Sequence, residues 1–435
     1  MKPHLANCLC PAIFIFVVGN YEISQGVHSM VKSLVRDALG KNAEELIETQ
    51  VSGAVAKETS PVLSPDDEEL AKIAAQLDVS IRIIGCGGGG SNTINRLVES
   101  GVSGAQLCAI NTDAKHLLSI HAPKKILIGR NVTKGLGAGA LPEVGEAAAR
   151  ENEGDIRQFL SGANILFITA GMGGGTGTGA AHFAARIGKE SRVLILGVVT
   201  LPFKAEGEVR MENALEGLER LRRVCDTTIV IPNDRLLELV PKLPIDAAFK
   251  VADEVLMQTI KGLTEIITKP GLVNLDYSDI LTVMNEGGVA FIGIGESDDS
   301  DPSERVETAV SEALNSPLLG EIDLGDARGA LIRVVGGPDM TVSEAERAAE
   351  IVGDRIARRA RLIWGCSVDP ELEGQIRVLL IVTGAKSELM MGRASAPVAD
   401  VGNSRAQVSD IGSGFNQRSA KENSFLRGPE IDFIR

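Results

Sequence analysis

Apolar residues in this chain follow two alternating rhythms. Short, near-continuous apolar runs at 81–84, 106–111, 126–128, 164–169, 193–201 and 227–231 predict buried strands. Between them lie segments at helical spacing, among them one carrying Val144, Ala147 and Ala148 and one from Ala180 to Lys189. Strands alternating with helices predict an α/β fold, a parallel sheet covered by helices on both faces. The longest periodic segment runs from Ala248 to Thr268. It sets Val251, Val255, Leu256, Thr259, Ile260, Leu263, Ile266 and Ile267 on one broad face, and Lys269-Pro270-Gly271 stops it. Strand-like runs at 288–295, 328–336 and 377–383, with helices between, predict a second, smaller α/β unit.

The flanks read differently. Residues 30–73 hold Val31, Leu34, Val35, Leu39, Leu46 and Ile47 at helical spacing, and a short acidic helix, 66–77, follows Ser64-Pro65. From Ala385 the periodicity is lost and Ser, Asn, Gly and charge increase, the composition of a disordered tail. The expected divisions are an arm at 1–78, a nucleotide domain at 79–250, a central helix at 251–271, a second domain at 272–384 and a tail at 385–435.

Glycines gather where the predicted strands end. They occur at Gly87–Gly90, at Gly135-Leu-Gly-Ala-Gly139 and, most densely, at Gly173-Gly-Gly-Thr-Gly-Thr-Gly179. Open parallel sheets bind ligands at the carboxyl ends of their strands. Glycine-rich turns let backbone N–H groups converge, and the following helix adds its positive end, so these loops suit phosphate. The Walker lysine is missing: no lysine lies between Ala170 and Phe183. Backbone amides, threonine hydroxyls and a metal ion must then meet the phosphate charge. Three such loops suit one long phosphate tail held on several sides. A dinucleotide oxidoreductase fits less well. The first run is four consecutive glycines rather than G-x-G-x-x-G, and although Asp113 has the position of a ribose-binding acid, no catalytic acid–base group accompanies it.

Composition narrows the class. The chain has 435 residues, room for two or three domains. Its 58 acidic against 44 basic residues give a net charge of −14, which argues against a general nucleic-acid binder. The six cysteines form no C-x-x-C pair, and the Cys8/Cys10 pair alone is weak evidence for metal; buried reduced thiols are expected. The five histidines, His116 and His182 among them, lack metal-ligand spacing and read as structural or solvated. No protein-held metal site is expected. The apolar run 12–18 is too short to span a bilayer. It reads either as a weak signal peptide or as an over-extended start, with residues 1–29 untranslated and Met30 the true beginning.

The 173–179 string resembles the tubulin-superfamily signature. With Ile83-Ile-Gly-Cys-Gly-Gly-Gly-Gly-Ser-Asn92, Asn111-Thr-Asp113, Thr133-Lys-Gly-Leu-Gly-Ala-Gly139, Phe203-Lys-Ala-Glu206, Arg210, Asp253 and Asn274-Leu-Asp-Tyr-Ser-Asp279, in that order, the chain resembles FtsZ, the tubulin-like division GTPase family of bacteria and many archaea. The long arm is closer to archaeal members. Ser91 stands where glycine is common, and His182 where proline is frequent.

The resemblance implies a tubulin-like fold that binds GTP with Mg²⁺. It implies phosphate contacts from Gly88, Gly89, Gly90, Ser91 and Asn92, and from Gly174, Gly175, Thr176, Gly177 and Thr178. Asn111 and Asp113 belong to the same nucleotide site; Glu206 and Arg210 lie at the ribose and nearby phosphates; Phe249 stacks near guanine, and Asp253 accepts its hydrogen bonds. Asn274, Asp276 and Asp279 are the expected catalytic group. Two carboxylates three residues apart can polarise a water, although turns rich in Asn and Asp also form without chemistry.

With Asp253 at the base, Pro270 lies roughly 25 Å along the helix, too far for Asp276 to serve its own subunit's γ-phosphate. A neighbour stacked head to tail is within reach, and such a heterologous contact grows filaments. The implied activity is assembly-dependent GTP hydrolysis in a cytoplasmic cell-division ring, or alternatively in a non-dividing filament for cell shape or positioning. The implied partners are further copies of the chain and, through Ile431, Phe433 and Ile434, a membrane-tethering division protein; a tail end without a partner is the alternative.

Overall fold

A computed structural model describes residues 79–239, 244–268, 277–285, 287–320 and 322–385. The arm, the tail and the positions of Asn274 and Asp276 lie outside the described residues.

The first half alternates strand and helix, as the apolar rhythm predicts. β1 (Ile81–Cys86) runs into α1 (Gly87–Glu99), followed by β2 (Ala105–Asn111), α2 (Ala114–Ser119), β3 (Lys124–Leu127), α3 (Pro142–Glu151) and α4 (Glu153–Leu160). Then come β4 (Ile165–Gly171), α5 (Gly175–Glu190), β5 (Leu194–Leu201), α6 (Glu208–Arg222), β6 (Thr227–Pro232) and α7 (Asn233–Leu239). The long helix α8 (Ile245–Thr268) leads to α9 (Tyr277–Met284). The second set is β7 (Gly288–Ser297), α10 (Pro302–Leu314), β8 (Gly329–Gly336), α11 (Val342–Arg355), β9 (Arg361–Val368) and β10 (Ile376–Thr383).

Among the described residues ten strands form one sheet, in the order β3-β2-β1-β4-β5-β6-β7-β10-β8-β9. Only β10 runs antiparallel to its neighbours. The two strand sets meet in a short parallel pairing of Thr227, Thr228 and Ile229 with Gly288, Val289 and Ala290. Strands β1, β2, β4, β5 and β6 therefore all point their carboxyl ends to one edge.

Helix α8 joins the two sets. Its buried face, with Val255, Leu256, Ile260 and Leu263, packs in one cluster with Ile83 and Ile94 on one side and Leu331, Leu379 and Ile381 on the other. Each such side chain contributes about 1.5–3 kcal/mol through burial. Two ion pairs fix the helix: Arg96 of α1 with Glu254 at 3.1 Å, and Arg333 of β8 with Glu265 at 2.5 Å.

Two features depart from the sequence pattern. Helices α1 and α5 begin inside their glycine runs, at Gly87 and Gly175, whereas the pattern places the second start at Ala180. Glycine is a poor helix former, so propensity masks these turns. Strand β9 is not predicted at all. It is an edge strand, paired only with β8, and most of its residues are partly exposed, so it lacks a buried apolar signature. The expectation of buried, reduced thiols holds for Cys86, Cys108, Cys225 and Cys366, none of which is in a disulfide among the described residues.

Replacing Arg333 by Ala strips the guanidinium from a carboxylate that is only 6% exposed. The expected loss is about 3 kcal/mol in urea unfolding, whereas the double change Arg333→Met with Glu265→Leu costs less. A single variant with the wild-type midpoint would show that this pair does not hold α8 to the second strand set.

Candidate nucleotide site

The carboxyl ends of β1 and β4 carry the two glycine helix starts. Neither α1 nor α5 has a side-chain cap or an acidic residue in its first turn. Their leading N–H groups have no intrahelical acceptor, and each helix brings partial positive charge to its start. The two starts touch: a Cβ added at Gly87 would lie 2.7 Å from the Gly177 nitrogen, and Gly87 has φ +71°. By contrast, a Cβ at Gly88 or Gly174 would meet nothing within 4 Å. Those two positions border open space, where a phosphate can approach the backbone.

Gly89 and Gly90 pack on the backbone of β4, at Gly171 and Thr169, and form the floor of the cradle. Ser91 has a fully buried hydroxyl without a partner among the described residues. Thr178 Oγ1 accepts from the Gly173 amide at 2.9 Å and shapes the signature turn. Thr176 Oγ1 lies 2.6 Å from Thr112 Oγ1 and ties α5 to the end of β2. The third glycine loop closes one side: the Ala114 amide donates to the Gly135 carbonyl, and Gly175 abuts Ala138 and Leu141. Cys86 borders the cradle, but burial, with Cys108 adding to it, pushes its thiol well above the ordinary range, so it is no nucleophile.

Asn111 and Asp113 build the loop beyond β2. Asn111 Oδ1 accepts from the Thr112 and Asp113 amides at 2.8 and 3.2 Å. Asp113 caps α2 by accepting from the Lys115 and His116 amides at 2.9 and 3.0 Å. On the β5 side, Glu206 accepts from the Phe203 amide at 2.9 Å and pairs with Arg210 at 3.1 Å. The Arg210 backbone in turn packs on Gly173.

Helix α8 enters the same edge. Phe249, 40% exposed, meets the buried ring of Phe203 edge-on, with centroids 5.0 Å apart. One turn later Asp253 receives a hydrogen bond from the Asn92 side chain. Burial pushes the Asp253 carboxyl up to about 7; Arg96 pulls it down, Glu254 pushes it up, and the Asn92 bond lowers it. The residues predicted for phosphate, ribose and base thus converge from β1, β2, β4, β5 and α8 on one sheet edge.

Asp279 does not join them. It is exposed in the first turn of α9. Tyr277, the first residue of the same helix, donates its hydroxyl to the Asn164 carbonyl at 3.4 Å, and Asn164 sits just before β4 begins. The seven residues of β4 separate that end from the signature loop by roughly 20 Å. The end of α8 agrees: Thr268 packs on Gly104, just ahead of β2. Asp279 and the glycine cradle lie at opposite edges of the sheet.

Sequence reasoning passed over two participants. Thr112 lay inside the quoted Asn-Thr-Asp motif, yet its hydroxyl partner is 64 positions away and has no local signal. His116, read as structural or solvated, bridges Asn111 and Asn92. Only the helical offset from the Asp113 cap marks it in the sequence.

Comparison with known proteins agrees with this geometry. Residues 80–241 match the Tubulin/FtsZ family, GTPase domain, and residues 288–386 match the FtsZ family, C-terminal domain. The chain is 50% identical over 368 residues to cell division protein FtsZ 1 of Archaeoglobus fulgidus, spanning 85% of this chain and 97% of that protein. It is 53% identical over 321 residues to FtsZ 1 of Thermococcus kodakarensis, spanning 74% and 85%. An empty FtsZ dimer from M. jannaschii matches with a TM-score of 0.70 at 52% identity, over 74% of this chain and 93% of that one. A GTPγS-bound CetZ2 protofilament from Haloferax volcanii, at 23% identity and a TM-score of 0.62 over 72% and 96%, shares the fold. With both halves matched and half its residues identical to these relatives, the chain belongs to the FtsZ family of tubulin-like GTPases.

Proposed function

We propose that this protein hydrolyses GTP only when its subunits stack head to tail into filaments of the cell-division ring. One observation carries the reading: α9 and Asp279 lie at the sheet edge opposite the glycine cradle. A subunit's own acidic group is then out of reach of its own γ-phosphate, and the next subunit's is not. Exposed apolar residues near the cradle support a stacking face there, with Leu136 at 84% and Val209 at 72% exposure.

In this reading the cradle amides, Thr176 and Thr178 hold the phosphates, Glu206 and Arg210 flank the ribose, and Phe249 and Asp253 take the guanine. Open space at Gly88 and Gly174, with no lysine in the signature loop, suits a phosphate-borne Mg²⁺, which when bound would neutralise phosphate charge. Asn274, Asp276 and Asp279 of the adjoining subunit orient the attacking water, while the amides stabilise charge on the transferring phosphoryl group. Hydrolysis removes γ-phosphate contacts and loosens the interface. The nucleotide domain spans 79–250, the linking helix 251–271 and the activating domain 272–384. The terminal apolar residues Ile431, Phe433 and Ile434 recruit a membrane-tethering partner to the division site.

Asp276→Ala is expected to cut turnover by about 10²-fold or more while GTP still binds. Gly88→Trp, which fills the open cradle, is expected to lose GTP binding. Mixing the two inactive variants should restore turnover, because an intact pocket then meets an intact acidic loop. A mixture as inactive as its parts would contradict a shared site.

Guanine binding needs the Asp253 carboxylate ionised, since a protonated carboxyl cannot accept from both N1–H and the 2-amino group. Its free-state value is raised to about 7, so affinity is full above that pH and declines as pH falls through it. Between pH 8 and pH 6 the apparent GTP dissociation constant should rise about tenfold more in the wild type than in Asp253→Asn. Parallel curves for the two proteins in calorimetric titrations would remove Asp253 from base recognition.

A further inference from the structure

A chain of four side chains crosses from the phosphate loop to the base-binding carboxylate. The Thr112 and Asp113 amides donate to Asn111 Oδ1 at 2.8 and 3.2 Å. Asn111 Nδ2 lies 3.2 Å from His116 Nδ1, and His116 Nε2 lies 3.1 Å from Asn92 Oδ1. The Asn92 side chain then reaches Asp253.

The ends fix the direction of every bond. Backbone N–H groups can only donate, so the oxygen of Asn111 faces them and its NH₂ faces the imidazole. Nδ1 of His116 must therefore accept, which leaves the proton on Nε2. Nε2–H donates to the Asn92 oxygen, so the Asn92 NH₂ donates to the carboxylate. The neutral Nε2–H tautomer is the one imidazole form that satisfies both neighbours. His116 is itself anchored, because its own amide donates to Asp113 at 3.0 Å.

We infer that His116 is a positioning residue: through Asn92 it holds the Asp253 carboxylate in the orientation that reads the 2-amino group of guanine. This rests on the proposed role of Asp253 as the guanine acceptor. Asp253 lies on α8, Asn92 on α1 and His116 on α2, so the relay gives the base-reading group a fixed rotamer across three helices. It also links that group to the loop at Thr112, whose hydroxyl meets Thr176 in the cradle.

The test compares GTP with ITP, which lacks the 2-amino group, as substrates of the full-length assembling protein. His116→Leu keeps similar volume but breaks both bonds, and is expected to lower the preference for GTP over ITP about tenfold. The change should fall on KM rather than kcat. His116→Gln, whose amide accepts at one end and donates at the other, should retain the preference. Asp253→Asn runs alongside and should abolish it. A His116→Leu protein with wild-type preference, beside an Asp253→Asn protein without it, overturns the positioning role and leaves the base assignment standing. An Asp253→Asn protein with wild-type preference overturns both. Should His116→Leu fail to fold, imidazole ¹⁵N resonances of the wild type decide: an Nε2–H tautomer supports the relay, and an Nδ1–H tautomer overturns it.

Discussion

With no lysine in its signature loop, the candidate phosphate cradle draws its positive charge from two helices that begin at nearly the same point. One helix start supplies a few free amides and a fraction of a positive charge. Here two converge, and they do so because Gly87 and Gly177 allow backbone to touch backbone. Any Cβ at Gly87 would collide with the Gly177 nitrogen, and one at Gly177 would collide with the Gly171 carbonyl. The order β2-β1-β4-β5 serves the same arrangement, since it sets the ends of four parallel strands side by side beneath the cradle. The Thr112–Thr176 contact, the Asn111-built loop and the packing of Arg210 on Gly173 all rest on that juxtaposition.

Helix α8 turns this local site into an assembly problem. Its first turns bring Phe249 and Asp253 to the cradle edge, while its last residue, Thr268, reaches the opposite edge beside Gly104. From Asp253 to Thr268 the helix rises roughly 22 Å. Ion pairs to α1 and β8 hold it against both strand sets, so it acts as a rigid spacer rather than a hinge of free length. A rigid spacer keeps Asp253 and Asp279 apart within one subunit, and in the proposed filament the two sites meet between stacked subunits.

Much of this was legible in the residues. Near-continuous apolar runs marked the buried parallel strands, and the glycine runs marked the cradle because their spacing has a direct mechanical meaning. The distance from Asp253 to the far end of α8 followed from helix rise alone. What stayed hidden had weak local signals. Strand β9 sits at an edge and is half exposed, so burial did not print a pattern on it. The starts of α1 and α5 were masked by glycine's low helix propensity, which tertiary packing overrides. The role of His116 depends on Asn92, 24 positions away, and on α8 passing nearby, and no periodicity encodes such a meeting.

The central claim is that catalysis is a property of the interface between subunits. It is tested most directly by GTP turnover per subunit over a wide range of protein concentrations, with sedimentation of polymer followed in parallel. The account predicts almost no turnover below a threshold concentration, then turnover that rises together with GTP-dependent pelleting. Constant turnover per subunit at every concentration, without polymer, would contradict it.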